Sequence, residues 1–167
     1  MDYTVPIKFQ GGTRDNGTPW YFYIKQLPAE RMLPKKVTAV CGLISPGKEI
    51  NKFIIVKNKR GYDIPGGHIE FREKPLVALI RETKEEACAK IVFAYPIILL
   101  ESDYYSEEKT YIFIYSGVAV LYPFISSAEV LERRIVTSEE LLSLYYGNIG
   151  LMKHMLDIHF SMKAKDF

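Results

Sequence analysis

Arg81, Glu82, Glu85 and Glu86 crowd one guanidinium and three carboxylates into six consecutive positions. In a helix, the i, i+3 and i, i+4 spacings bring the three carboxylates together on one sector about 100° wide. Like charges held that close repel, so the grouping is costly unless a cation joins it. Mg²⁺ takes oxygen ligands, few of them from protein, and completes its shell with water and phosphate. Mn²⁺ accepts the same donors. Such a cation neutralises a bound pyrophosphate and makes a bound water easier to deprotonate. The chemistry these residues suit is hydrolysis at phosphorus. An RExxEE string alone also suits a solvated helix face laced with Arg–Glu pairs, so the preceding residues decide.

Those residues are Pro65-Gly66-Gly67, a turn no helix would contain, and then an isolated Glu73. Gly67, Glu73, Arg81, Glu82, Glu85 and Glu86 form one spaced pattern. At ordinary residue frequencies its chance occurrence is roughly 10⁻⁵ over the whole chain. The pattern, within residues 65–89, resembles the Nudix box. The resemblance implies a metal-dependent pyrophosphohydrolase. Water would attack phosphorus in a nucleoside diphosphate linked to another moiety, or in a nucleoside triphosphate. It further implies Glu82, Glu85 and Glu86 as catalytic metal ligands, with the backbone carbonyl of Gly67, or of Gly66, as another. Mg²⁺ is the implied cofactor, with Mn²⁺ as a possible substitute. Glu73 and Arg81 would pair to brace the loop at Gly66 rather than touch substrate.

Three positions depart from the family pattern: Thr83, Cys88 and Ala89. Thr83 keeps a methyl for burial, and Ala89 only loses bulk. Cys88 stands where the family has a Gly, at a turn of positive φ that Cys adopts reluctantly. A shifted helix end and a buried structural thiol are expected. The family also adds an acidic residue from outside the box. Glu129 lies in the corresponding region, with Asp103, Glu107 and Glu108 as rivals and Glu82 itself as a further candidate base. Tyr105, beside Tyr104, lies where related dinucleoside polyphosphate hydrolases carry a Tyr, and is assigned to substrate contact. Arg60, with Lys57 and Lys59, is placed to reach phosphates. The aromatic run at residues 20–23 suits strand packing better than base stacking. His68, His154 and His159 receive no role. The alternative from another class is a nucleotide-sensing Nudix-fold module without hydrolysis, which the intact carboxylates disfavour. A structural interaction domain with a coincidental acidic helix is the third reading.

The elements that must position these groups follow from periodicity and punctuation. Residues 11–19 read as a turn-rich loop and residues 20–27 as a strand. Strands at 36–44 and 52–57 flank a turn and are expected to form a hairpin. A helix starts near Lys74, with Pro75 in its first turn, and ends near Ala87 or Cys88. It buries Leu76, Leu79, Ile80, Thr83 and Ala87. A strand follows at 91–101, bent or at an edge because of Pro96, then a polar loop at 107–109 and a strand at 111–121. Thr137 and Glu140 form a capping-box pair that opens a short helix ending near Gly147, and a last helix spans 149 to about 162. The order gives an α+β fold, an α/β/α sandwich with a mixed β-sheet between helices, as the Nudix resemblance implies. One domain over 1–167 is expected, with 1–35 as an N-terminal strand and loop extension and 137–163 as C-terminal helices.

The net charge of +2 is too small to argue for nucleic acid, so the expected partner is a small-molecule nucleotide. No apolar run is long enough for a membrane span. The start lacks the features of a signal peptide, and two cysteines make no disulfide framework. A cytoplasmic location is expected. A homodimer is compatible with the family, though no seam is visible.

Overall fold

The computed structural model describes residues 7–25, 27, 37–49, 51–105 and 108–163. In chain order these form β1 (Lys8–Thr13), β2 (Pro19–Lys25), β3 (Val37–Pro46), β4 (Lys52–Asn58), β5 (Gly61–Asp63) and β6 (Gly66–His68), then helix α1 (Pro75–Ala87). There follow β7 (Ala89–Tyr105), β8 (Glu108–Leu121), β9 (Glu132–Thr137), α2 (Ser138–Leu144) and α3 (Ile149–Lys163). Six strands form one sheet in the order β1-β2-β7-β8-β3-β6, and three form another in the order β5-β4-β9. The first is mixed: β3 and β8 run parallel, and every other pairing is antiparallel.

β3 and β4 are not a hairpin. β3 pairs with β6 and β8, whereas β4 pairs with β5 and β9 in the other sheet. Both strands are apolar on successive residues, so each needs cover on both faces. Alternation sends Ile54 and Val56 into one core with Val40, Ile44, Leu79 and Phe113. Phe53 and Ile55 enter the other, with Leu43, Ile98, Leu141 and Met152. Helix α1 contributes to the first core, and α2 and α3 to the second. The result is an α+β sandwich with sheet between helices.

Three local expectations change. β1 runs through Gly11 and Gly12 to Thr13, so the loop between β1 and β2 is shorter than expected. A side chain at either glycine would collide with the Trp20 indole from the paired strand, which explains why glycines sit inside this strand. β8 begins at Glu108, where Lys109 pairs across the ladder with Glu101 at 2.8 Å, so residues 108 and 109 are strand rather than loop. Glu107 lies outside the described residues. β9 was not expected as a strand, because its residues carry no strong alternation. Pro96 does mark a register shift, on a stretch of β7 beyond its pairing with β2. The Thr137–Glu140 capping box is present, each side chain bonding the other's backbone N–H.

Helix α1 begins with Pro75 and ends at Ala87. Its end is not shifted: Cys88 itself takes the left-handed conformation, φ 47°, and donates its N–H to the Thr83 carbonyl. The buried face differs from the expected stripe. Ala78, Leu79, Thr83 and Ala87 are buried, but Leu76 and Ile80 are 39% and 41% exposed. On a wheel of about 100° per residue, Glu82 and Glu86 fall inside the arc bounded by Ala78 and Ala87. The helix is thus turned so that two carboxylates face inward, small alanines let it approach the sheet, and Ile80 is displaced to solvent. Among the described residues no helix is long and apolar enough to cross a membrane.

Candidate active site

The site is built where β6 meets α1. Gly66 and Gly67 pair with Cys41 and Val40 of β3. A Cβ on Gly66 would strike the Val40 carbonyl and the Cys41 backbone, and one on Gly67 would strike the Glu82 carboxylate. Only glycines let this loop lie between the sheet and the acidic helix face. Gly66 N–H donates to Glu86 Oε2 at 3.0 Å, tying loop to helix.

Arg81 organises the outer side. Its Nε donates to Glu73 Oε1 and its Nη2 to Glu73 Oε2, both at 2.9 Å. Nη2 also donates to the His68 carbonyl at 3.0 Å, and Nη1 to Glu82 Oε1 at 2.7 Å and Glu85 Oε2 at 3.3 Å. The bidentate hydrogen bonds from Arg81 hold the Glu73 carboxyl below the ordinary range. Glu73 and Glu82 in turn hold the proton on Arg81 more tightly than usual. Arg81 therefore meets two of the three box carboxylates as well as Glu73, a wider role than bracing alone.

Glu86 is different. Among the described residues no cation pairs with it, and burial pushes its pKa up to about 7. The charges of Glu82, Asp63 and Glu129 add to the rise, while the Gly66 hydrogen bond opposes it. Four carboxylates thus share one field. Among the described residues no three His, Cys, Asp or Glu side chains already converge as a finished metal cage. The donor set nonetheless fits a hard divalent cation. It is all oxygen, it carries excess negative charge, and the glycine loop leaves room for close approach. Glu85 lies at the rim, 59% exposed, and Glu129 is exposed on the segment between β8 and β9.

A cavity of about 570 Å³ opens beside the loop, within the roughly 300–1,000 Å³ range of small-ligand sites. Arg60 and Tyr105 both line it, as do Gly66, Gly67 and Tyr104. Arg60 also stacks over the Tyr146 ring at 5.0 Å. Asp103 is placed elsewhere: it accepts from Arg14, from Tyr21 N–H at 2.7 Å and from Tyr23 Oη at 3.2 Å, fastening the N-terminal strands. Lys57 lies over the Tyr62 ring. His154 packs near Phe9, and His159 is buried against Ser116.

Sequence reasoning did not single out three residues. Asp63 lines the cavity, and burial raises its pKa to about 6. A lone Asp between apolar neighbours in a strand was its only signal. Tyr146 bonds Asp63, and burial followed by the Asp63 charge pushes its hydroxyl up to about 12. Arg133 Nη1 donates to the carbonyls of Ala87, Cys88 and Tyr122 at 2.8, 3.3 and 2.9 Å, fixing the end of α1. The Cys88 thiol beside it is half-buried and accepts from Ile125 N–H at 3.4 Å.

The family model for the NUDIX domain matches residues 34–155. No curated protein matches the chain in sequence. In three dimensions it is similar to the Bacillus subtilis pyrophosphohydrolase BsRppH, with TM-score 0.70 and 16% identity over 96% of this chain and 97% of that one. A NUDIX hydrolase from Nitrosomonas europaea matches with TM-score 0.62 and 19% identity, over 77% and 91%. The Caenorhabditis elegans Ap4A hydrolase matches with TM-score 0.53 and 17% identity, over 76% and 98%. At these identities the likeness is one of fold.

Proposed function

The chain belongs to the NUDIX family of phosphoanhydride hydrolases, and on that premise we propose that it is a Mg²⁺-dependent pyrophosphohydrolase of small nucleotides. Its substrate is a nucleoside diphosphate linked to another moiety, or a nucleoside triphosphate. The observation that carries this reading is the packing of the Glu82 and Glu86 carboxylates against the Gly66-Gly67 loop beside a ligand-sized cavity.

In this reading Glu82, Glu85 and Glu86, with the Gly67 carbonyl, hold the cation, for which Mn²⁺ is a substitute. Bound there, a divalent cation would supply charge neutralisation for the pyrophosphate and a more acidic water. The chain's own residues do the rest. Glu86, whose burial raises its proton affinity, would release its proton to solvent on taking up a cation. Arg81 keeps Glu82 and Glu85 oriented while Glu73 anchors Arg81. Glu129 is solvent-exposed and within the field of Glu86, which suits it to accept the proton from water. Arg60, exposed at the cavity edge, meets phosphate charge, and Tyr105 meets the remainder of the substrate.

The test is a hydrolysis panel of nucleoside triphosphates, ADP-ribose, nucleotide sugars and dinucleoside polyphosphates, with and without Mg²⁺. Wild type and Glu86→Gln are compared. Metal-dependent turnover lost in the variant is expected. Near-normal turnover in Glu86→Gln would refute the ligand assignment.

A further inference from the structure

One end of the cavity is not made by the family-matched segment. Trp20 and Phe22 come from β2, which precedes residues 34–155. They meet Tyr104 and Tyr105 of β7 along a continuous row of rings. Trp20 lies edge-on to Phe22 at 4.9 Å and to Tyr104 at 5.3 Å, and Tyr104 lies edge-on to Tyr105 at 4.9 Å. The row opens to solvent, with Tyr104 47% and Tyr105 60% exposed.

The rings are held in place by devices that core packing does not need. Gly11 and Gly12 on β1 form a bare seat for the indole, where any side chain would collide with it. Arg14, in the turn between β1 and β2, reaches across to β7. Its Nε donates to the Tyr104 carbonyl at 2.9 Å, its Nη1 to the Pro19 carbonyl at 2.6 Å, and its Nη2 to the Asp103 carbonyl. Asp103 accepts the Tyr21 N–H in return. The two middle rings of the row, Trp20 and Tyr104, are therefore anchored by the backbone around them. A fixed row of rings lining the same cavity as the glycine loop suits a planar ring joined to phosphates.

We propose that the β1–β2 hairpin is a substrate-binding element, in which Trp20 and Tyr104 hold the nucleobase of the nucleotide whose phosphates lie at Gly66 and Gly67. The inference rests on the hydrolase reading for the position of the phosphates alone. Stacking on such a wall tolerates any base, because every base has a π-face. Base identity would be read elsewhere in the cavity.

The experiment uses a property of the sequence: the chain has one tryptophan, so its intrinsic indole fluorescence reports on this wall. The full chain in chelator is titrated with ADP and GDP, and with ribose 5-phosphate and pyrophosphate as base-free probes. Saturable quenching by both nucleotides and none by the base-free probes is expected. Tyr104→Ala, an exposed position, should weaken nucleotide binding about 5- to 100-fold with an unchanged melting temperature. For any substrate found, Trp20→Ala should raise KM far more than it lowers kcat, and Trp20→Phe should recover most of the loss. Equal responses to pyrophosphate and nucleotide, or no response to either nucleotide, would overturn the proposal. Metal-dependent hydrolysis with a silent tryptophan removes the wall and leaves the hydrolase. Base-dependent quenching without hydrolysis of any substrate keeps the wall and removes the hydrolase.

Discussion

Replacing Glu86 with Gln should stabilise the metal-free protein while abolishing turnover. Burial raises the Glu86 carboxyl from the ordinary 4.5 to about 7, so the native state binds its proton more tightly than the unfolded chain does. The stability this contributes is fully present below about pH 4.5 and is lost as the pH rises through about 7. At 1.36 kcal/mol per tenfold change in proton affinity, the loss comes to about 3 kcal/mol, or about 2 after allowing for partial solvent access. Gln has no charge to desolvate, and its amide oxygen still accepts the Gly66 N–H. For a chain of this length about 2–3 kcal/mol is roughly 5–10 °C in melting temperature. The assay is thermal unfolding of wild type and Glu86→Gln in chelator at pH 5 and pH 8.5, repeated with Mg²⁺. At pH 5 the two should differ by less than about 1 kcal/mol, and the variant should melt distinctly higher at pH 8.5. Mg²⁺ should then raise wild type and leave the variant unmoved, because a ligand that binds only the native state stabilises it by mass action. Asp63 titrates in the same direction in both proteins, so the difference reports Glu86 together with its coupling to Asp63. A variant that melts at or below wild type at pH 8.5 in chelator would refute the reasoning, as would a difference independent of pH.

Gly67→Ala puts a methyl against the Glu82 carboxylate and displaces it from Arg81. Turnover should fall about 100-fold, with melting within a few degrees of wild type, read by steady-state kinetics beside calorimetry. Arg133→Ala removes the donor to three carbonyls at the end of α1 and should cost about 2–3 kcal/mol in urea unfolding. Cys88→Gly relieves a left-handed φ of 47°, worth about 1–2 kcal/mol, against the extra unfolded-state freedom of glycine. A net gain of about 0.5–1 kcal/mol is expected from the same denaturant curves, whereas Cys88→Val should destabilise.

The box was legible because its geometry is internal to one segment. Pro75 sets the start of α1, and the spacing of Glu82, Glu85 and Glu86 sets their sector whatever the helix packs against. The pairings of β3 were not legible, since an apolar run says that both faces are covered but not by which strands. Nor was the convergence of Trp20, Asp63 and Tyr104, which lie far apart along the chain: β2 and β7 are neighbours in one sheet, while Asp63 comes from β5 of the other.

The rotation of α1 shows most clearly why the remainder was hidden. A wheel ranks its faces by hydrophobicity and turns Leu76, Ile80 and their neighbours inward. In the structure Ile80 and Val77 face solvent, while Glu82 and Glu86 lie within the buried arc. Only the small residues Ala78 and Ala87, and the bare loop at Gly66 and Gly67, leave room for that choice. It costs apolar burial and charge desolvation together, and stability alone gives no reason for it. Conflicts of this kind between local pattern and global fold mark functional positions. Here the conflict falls on the two carboxylates nearest the glycine loop, and the raised proton affinity of Glu86 is its energetic trace.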